Sequence, residues 1–205
     1  MNRSITLRRA LITATTGLAV LVLAACGAKD DGMEGMDHGS GADQPAPSTS
    51  AAFNDADVMF AQMMIPHHRQ AVEMATLAET RAEDPEIKEL AAAIKGAQDP
   101  EIATLTGWLT EWGQPTEAPA GHDGGHGSMP GMMSEEDMKN LEAASGATFD
   151  KAFAELMIAH HEGAITMAEE EKAKGQNPDA VALAGTIATA QTAEIEQLRG
   201  ILARL

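Results

Sequence analysis

An all-α fold, a four-helix bundle built from two copies of one helical hairpin, is what this sequence predicts. Three observations lead there. Slid against itself by 93 positions, the chain matches without a gap over a long stretch. The two matching segments are dominated by Ala, Leu, Ile and Met, and the whole 205-residue chain holds four Phe, two Trp and no Tyr, a composition that favours helices over strands. Each segment is broken once, by Asp84-Pro85 and by Asn177-Pro178, at the same place in the repeat.

The chain opens with Arg3, Arg8 and Arg9, then an apolar run from Ala10, then 23-LAAC-26. A basic start, a short apolar core and small residues before a cut make 1–25 a secretory signal. The apolar run, about 16 residues, is too short to span a bilayer comfortably. Leu-Ala-Ala-Cys is similar to a bacterial lipobox. In that reading Cys26 becomes the lipidated first residue of the mature chain, anchored outside the cytoplasmic membrane; an ordinary signal peptide with a chance cysteine is the alternative. Arg8-Arg9 fits twin-arginine export, but its flanks do not choose between routes. As the single cysteine, Cys26 excludes an internal disulfide framework and any Cys-rich zinc site. Residues 26–52 are mostly Gly, Ser, Pro, Asp and Ala, and read as a flexible, disordered tether.

The duplicated domain spans 53–205. In copy one, 53–112, Asn54 can cap a helix carrying Phe60, Met64, His67, Ala71 and Met74, which step by four and three as a core-facing stripe does. Asp84-Pro85 ends it and starts another, with Asp as cap and Pro at the first helical position. That second helix carries Ile87, Ile94, Gln98, Glu101, Leu105 and Trp108 and ends near Gly113. A Gly/His/Met-rich linker, 113–133, follows. Copy two, 134–205, repeats the plan, preceded by a short helix from Ser134, which forms a capping-box pattern with Asp137. The repeat places Asp57 on Asp150, Phe60 on Phe153, Met64 on Met157, His67-His68 on His160-His161 and Met74 on Met167. It continues with Pro85 on Pro178, Leu90 on Leu183, Ile94 on Ile187, Gln98 on Gln191, Glu101 on Glu194 and Leu105 on Leu198. Two chance alanine-rich helices would not align all of these together. Two hairpins give four helices and a pseudo-twofold axis.

Charge narrows the function classes. The formal net charge is −17, and loss of the three leader arginines takes it to −20. Phosphates would be repelled, which disfavours a nucleic-acid partner. An acidic surface concentrates cations, although many proteins are acidic for solubility alone.

The stretch 63-MMIPHHRQAVEMA-75 and its copy 156-LMIAHHEGAITMA-168 carry the chemistry. His67 lies on the buried stripe between Met64 and Met74, and His68 lies about 100° around the helix, one turn after Met64. The copy supplies His160, His161, Met157 and Met167. If the dyad brings the two first helices together, four imidazoles and several thioethers converge. Imidazole suits copper, zinc, nickel and iron, and thioether selects soft ions such as Cu(I) or Ag(I), so the mixture points to copper, with silver as a mimic. Gln98 and Glu101, with Gln191 and Glu194, sit on the apolar stripe of the next helix. A carboxylate there needs a partner. Orienting a ligating imidazole is one use, and a metal-free Glu–His network is the other. A Met stripe is also ordinary core packing. Pro66 removes one backbone bond, either opening the helix beside His67 or sitting there without a role; copy two has Ala159 instead. In the tether and linker, Met33, Met36, His38, His122, His126, Met129, Met132 and Met133 recur among glycines, where no core is expected. Weak copper capture, unconstrained low complexity and sacrificial oxidation all fit them.

The pattern F-x-x-x-M-I-x-H-H-x-x-A-[VI]-x-M-A followed by I-x-x-A-Q-x-x-E-I-x-x-L occurs at Phe60–Ala75 with Ile94–Leu105, and at Phe153–Ala168 with Ile187–Leu198. It resembles the domain-of-unknown-function family numbered 305. The resemblance implies a ferritin-like bundle, export, and association with copper binding and resistance. It marks His67, His68, His160, His161, Met64, Met157, Met74 and Met167 as the motif positions. The expectation is therefore a membrane-tethered, copper-binding lipoprotein that sequesters or buffers copper and has no turnover. A ferritin-like metal oxidase is the alternative, weakened because di-iron bundles use Glu-x-x-His motifs and none lies on the expected faces. A metal-free envelope interaction module is the third reading. No hydrolase triad order, phosphate loop or zinc-protease motif is present.

Overall fold

A computed structural model describes residues 52–117 and 129–205. Asn54 caps α1, Asp55–Arg81, in a reciprocal capping box with Asp57, and α1 runs unbroken through Pro66. Asp84 caps α2, Pro85–Glu111, with Pro85 in its first turn. Ser134 and Asp137 form the box that starts the short α3, Glu135–Ala143. Then come α4, Gly146–Lys174, and α5, Pro178–Leu202, the latter capped by Asn177. All elements among the described residues are helical, and no helix there is long and apolar enough to cross a membrane.

Helix α1 packs along α2, α4 along α5, and α1 against α4, whereas α2 and α5 meet only sparingly. The central pair is therefore α1–α4. Two apolar clusters form. One gathers Met74, Ile94, Phe153, Met157 and Leu198; the other gathers Phe60, Met64, Leu105, Met167 and Ile187. The repeat exchanges them: Phe60 for Phe153, Met64 for Met157, Met167 for Met74. The C-terminal half of α1 thus shares a cluster with the N-terminal half of α4. The central helices run antiparallel about the expected dyad.

Buried aspartates tie the copies together crosswise. Asp57 accepts from Asn54 N at 2.6 Å, and from Gln176 N at 3.1 Å and Asn177 N at 2.9 Å in the α4–α5 turn. Asp150 does the same for the α1–α2 turn, accepting from Glu83 N at 3.1 Å and Asp84 N at 2.9 Å. Burial alone would raise the Asp57 pKa, but these backbone amides and the Glu171 carboxyl outweigh it and hold it below the usual value. Glu171 takes the place of Ala78 and is buried. Burial first, then the Asp57 carboxyl beside it, pushes its pKa up to about 8. As a carboxylate neither of its oxygens has a donor to accept from. As a carboxylic acid it can donate to Asp57, and this form resolves the mismatch.

Candidate metal centre

The α1–α4 crossing places His67 and His160, repeat mates, ring on ring, with centroids 3.8 Å apart and planes inclined by 41°. His161 follows His160 at 6.3 Å between centroids. All four histidines are 0% exposed. The second member of each pair turns outward to the flanking helix: His68 Nε2 lies 2.8 Å from Glu101 Oε2, and His161 Nε2 lies 2.7 Å from Glu194 Oε2. The first is a hydrogen bond. The second has the distance of one but not the direction, which leaves His161 Nε2 without an aligned partner.

His67 Nε2 lies 3.1 Å from the carbonyl oxygen of Pro130, so that nitrogen carries the proton and donates. Glu101 fixes the same tautomer in His68, leaving Nδ1 free on both rings. His160 and His161 have both ring nitrogens unpartnered, which brings the layer to six such nitrogens. Burial, then the neighbouring His68, pulls the His67 pKa down to about 3, against the opposing Pro130 contact. Burial, then His67, His161 and His68, holds His160 well below the ordinary histidine value. The His67 carbonyl opposes this weakly, though neither His160 nitrogen meets it in hydrogen-bond geometry. These two rings therefore keep their lone pairs at neutral pH, the form a metal requires.

Buried polar atoms normally find partners, so six bare ring nitrogens on these four histidines are an unmet bonding capacity in the bundle interior. The fit to a metal is chemical rather than preformed. Among the described residues no three His, Cys, Asp or Glu side chains surround a common point, because the inner rings meet by their faces.

The other sequence candidates fall as follows. Met64 and Met167 are buried in one apolar cluster, Met74 and Met157 in the other, so these thioethers flank the layer on two sides. Gln98 and Gln191 are buried with Oε1 unpartnered, while Glu101 and Glu194 are partly exposed. Cys26, Met33, Met36, His38, His122 and His126 lie outside the described residues. The expectation that no core forms around Met133 is corrected. Met133 is 8% exposed and packs in the cluster with Leu141 and Met157, because its backbone is pinned to α1. Met129 and Met132 are half-buried beside it.

That pinned segment is what sequence reasoning missed. Met132 N donates to Met129 O at 3.2 Å around Pro130 and Gly131, the latter with φ 75°, the hydrogen bond and residues of a type II turn. Gln70 Oε1 accepts from Met133 N at 2.8 Å, and Gln70 Nε2 donates to Met133 O at 3.0 Å. On the other side the turn lies on Gly163 of α4, where a Cβ would overlap the Pro130 carbonyl. The signals were visible: Met-Pro-Gly-Met is a turn sequence, and Gln70 faces Gly163 in the repeat.

Four buried imidazoles at the crossing of a duplicated hairpin, each outer one beside a carboxylate, define a helical bundle with an internal layer of histidines. The chain belongs to the family described as Domain of unknown function (DUF305), whose profile matches residues 57–202. A DUF305 protein from Streptomyces coelicolor, described as secreted, is 31% identical over 73% of this chain and 93% of its own, with a TM-score of 0.68. A DUF305 fragment from Deinococcus radiodurans is 31% identical over 74% of this chain and 98% of its own, with a TM-score of 0.67. CopM in its Cu(II)-bound form is 36% identical over 72% of this chain and 96% of its own, with a TM-score of 0.63. CopM is also matched in Cu(I)-bound, silver-bound and apo forms. Nothing among curated proteins matches the chain.

Proposed function

We propose that this protein binds copper inside its helical bundle and sequesters or buffers it outside the cytoplasmic membrane. The observation that carries the reading is the layer of buried imidazoles with six unpartnered nitrogens. The likeness to CopM, solved with Cu(I), Cu(II) and silver, supports copper over other imidazole-loving ions. His67, His68, His160 and His161 would hold the ion through their free nitrogens. Glu101 and Glu194 would orient the outer pair and raise its basicity. The thioethers of Met64, Met157, Met74 and Met167, above and below the layer, would favour the softer Cu(I). The secreted relative and the Leu-Ala-Ala-Cys leader support an extracytoplasmic, lipid-tethered location through Cys26. The Met/His tracts of tether and linker would scavenge or deliver ions.

The test is a Cu(I) and Cu(II) titration of the full chain under anaerobic conditions, beside a variant with all four histidines changed to Ala and its helical content followed in parallel. Loss of the tight site in a folded variant supports the reading. Unchanged tight binding in that variant sinks it. A metal-free Glu–His network is the second reading, favoured by the aligned His68–Glu101 bond. It predicts lowered stability in the same variant with the metal content of the wild type.

A further inference from the structure

The four imidazoles are wholly buried, so part of the protein must move before an ion reaches them. The helices share two apolar clusters and are costly to part. The turn at 129–133 is held more lightly, by the His67 contact, the two Gln70 bonds and the buried Met133 side chain.

Its position is unusual. It touches α1 at His67 and Gln70, and α4 at Ala159, His160 and Gly163. His67 and His160 are repeat mates, as are Gln70 and Gly163. The turn therefore lies astride the dyad, and only one can sit there. An asymmetric object on a twofold axis needs unequal sides. The repeat supplies them at one pair of positions: an amide that grips on α1, and a missing side chain that yields on α4. Gly131 completes the fit, since a Cβ there would lie 2.7 Å from the Ala159 carbonyl and 2.8 Å from that of His160. A type II turn leaves its central carbonyl unused, and that carbonyl, of Pro130, accepts from His67 Nε2–H.

We propose that residues 129–133 form a strap that closes the imidazole layer and controls metal entry to it, with Gln70 and Gly163 as the positioning residues that seat it. This rests on the copper reading. Seated, the strap ties up His67 Nε2. Lifted, it exposes the layer and frees both His67 nitrogens, while the half-buried Met129 and Met132 offer soft sulfur at the entrance.

Two variants of the full chain test this. Gly163→Ala keeps a good helix former on α4 but fills the groove. Gly131→Val places a β-branched side chain at φ 75° against fixed helix carbonyls, so it cannot seat even if α4 adjusts. The first readout is the slowly exchanging His67 Nε2–H signal in the metal-free protein by nitrogen-15 NMR. The second is the stopped-flow rate of Cu(I) uptake from a chelator. Loss of the signal with uptake on the order of tenfold faster, equal to weakening the closed state by about one net hydrogen bond, supports the strap. A persistent signal in Gly131→Val overturns the seating. Signal loss with an unchanged or slower rate overturns the gate. If the wild-type bundle takes up no copper, the copper reading falls and the gate with it, while the NMR signal still decides what holds His67.

Discussion

The two copies share a skeleton and part company near the dyad and at the crosswise clamps. Copy one has Gln70 where copy two has Gly163, Ala78 where copy two has Glu171, and Pro66 where copy two has Ala159. The matched positions build the frame: the capped, Pro-led starts of α2 and α5, the apolar clusters, the histidine pairs and their glutamates. Two of these mismatches serve features that occur once, a strap on the axis and a buried carboxyl at one of two clamps, and nothing in the structure explains the third, Pro66 against Ala159. Duplication thus supplied the fold by repetition, and the divergence between copies shows where symmetry had to be broken.

Breaking the clamps should have the largest effect. Asp150→Ala strands the amides of Glu83 and Asp84, and Asp57→Ala those of Asn54, Gln176 and Asn177. Each should lower stability by about 3 kcal/mol in urea unfolding, the cost of leaving several backbone donors without an acceptor. A loss below about 1 kcal/mol for both would remove the clamps from the account. Transplanting the difference comes next. Ala78→Glu puts a buried carboxyl near Asp150 as Glu171 stands near Asp57, and should cost about 2 kcal/mol at pH 8 and less at pH 5. Equal cost at both pH values would show that the new carboxyl is not proton-linked.

The reverse change tests the pH profile. Glu171 binds its proton more tightly folded, at about 8, than unfolded, at 4.5, so its contribution is full below 4.5 and declines as pH rises to 8. His67 and His160 are held neutral, so they oppose folding as pH falls below 6.5. Just below 6.5 the two histidine slopes outweigh the one glutamate slope. Above 6.5 only Glu171 remains of these three. Stability should peak near pH 6.5 and fall by about 2 kcal/mol by pH 8. Glu171→Ala, which restores the copy-one residue, should abolish that fall. A decline that survives the substitution would assign it elsewhere. The smallest contrast is between the two carboxylates. Glu101→Gln should weaken copper binding about tenfold and Glu194→Gln less, because only His68 has an aligned bond. Equal losses in a competition titration would show that alignment does not matter.

Much of this was legible in the sequence. Asn54, Asp84-Pro85, Ser134-Asp137 and Asn177-Pro178 marked helix starts by local chemistry, and the four- and three-step stripe placed His67 and His160 inside. The 93-residue offset made them repeat mates, and their meeting depended on the dyad falling between the two first helices. What was not legible depends on contacts distant in sequence. The Gln70–Met133 bonds span 63 residues and the Asp57–Asn177 bond 120, and no periodicity encodes either. Met133 looked like part of a flexible tract because glycines surround it. Its burial follows from a partner on another helix.

The crosswise aspartates make each hairpin depend on the other for the closure of its own turn. In solenoid arrays a repeat needs only its neighbours' flanks and can be added or lost one at a time. Here a single copy, expressed alone, would carry unpaired turn amides and two half-clusters open to water, and its simplest remedy would be to pair with a second copy of itself. The same dependence means that a proteolytic nick in the 113–133 linker should leave the two fragments bound as one particle that melts in a single transition.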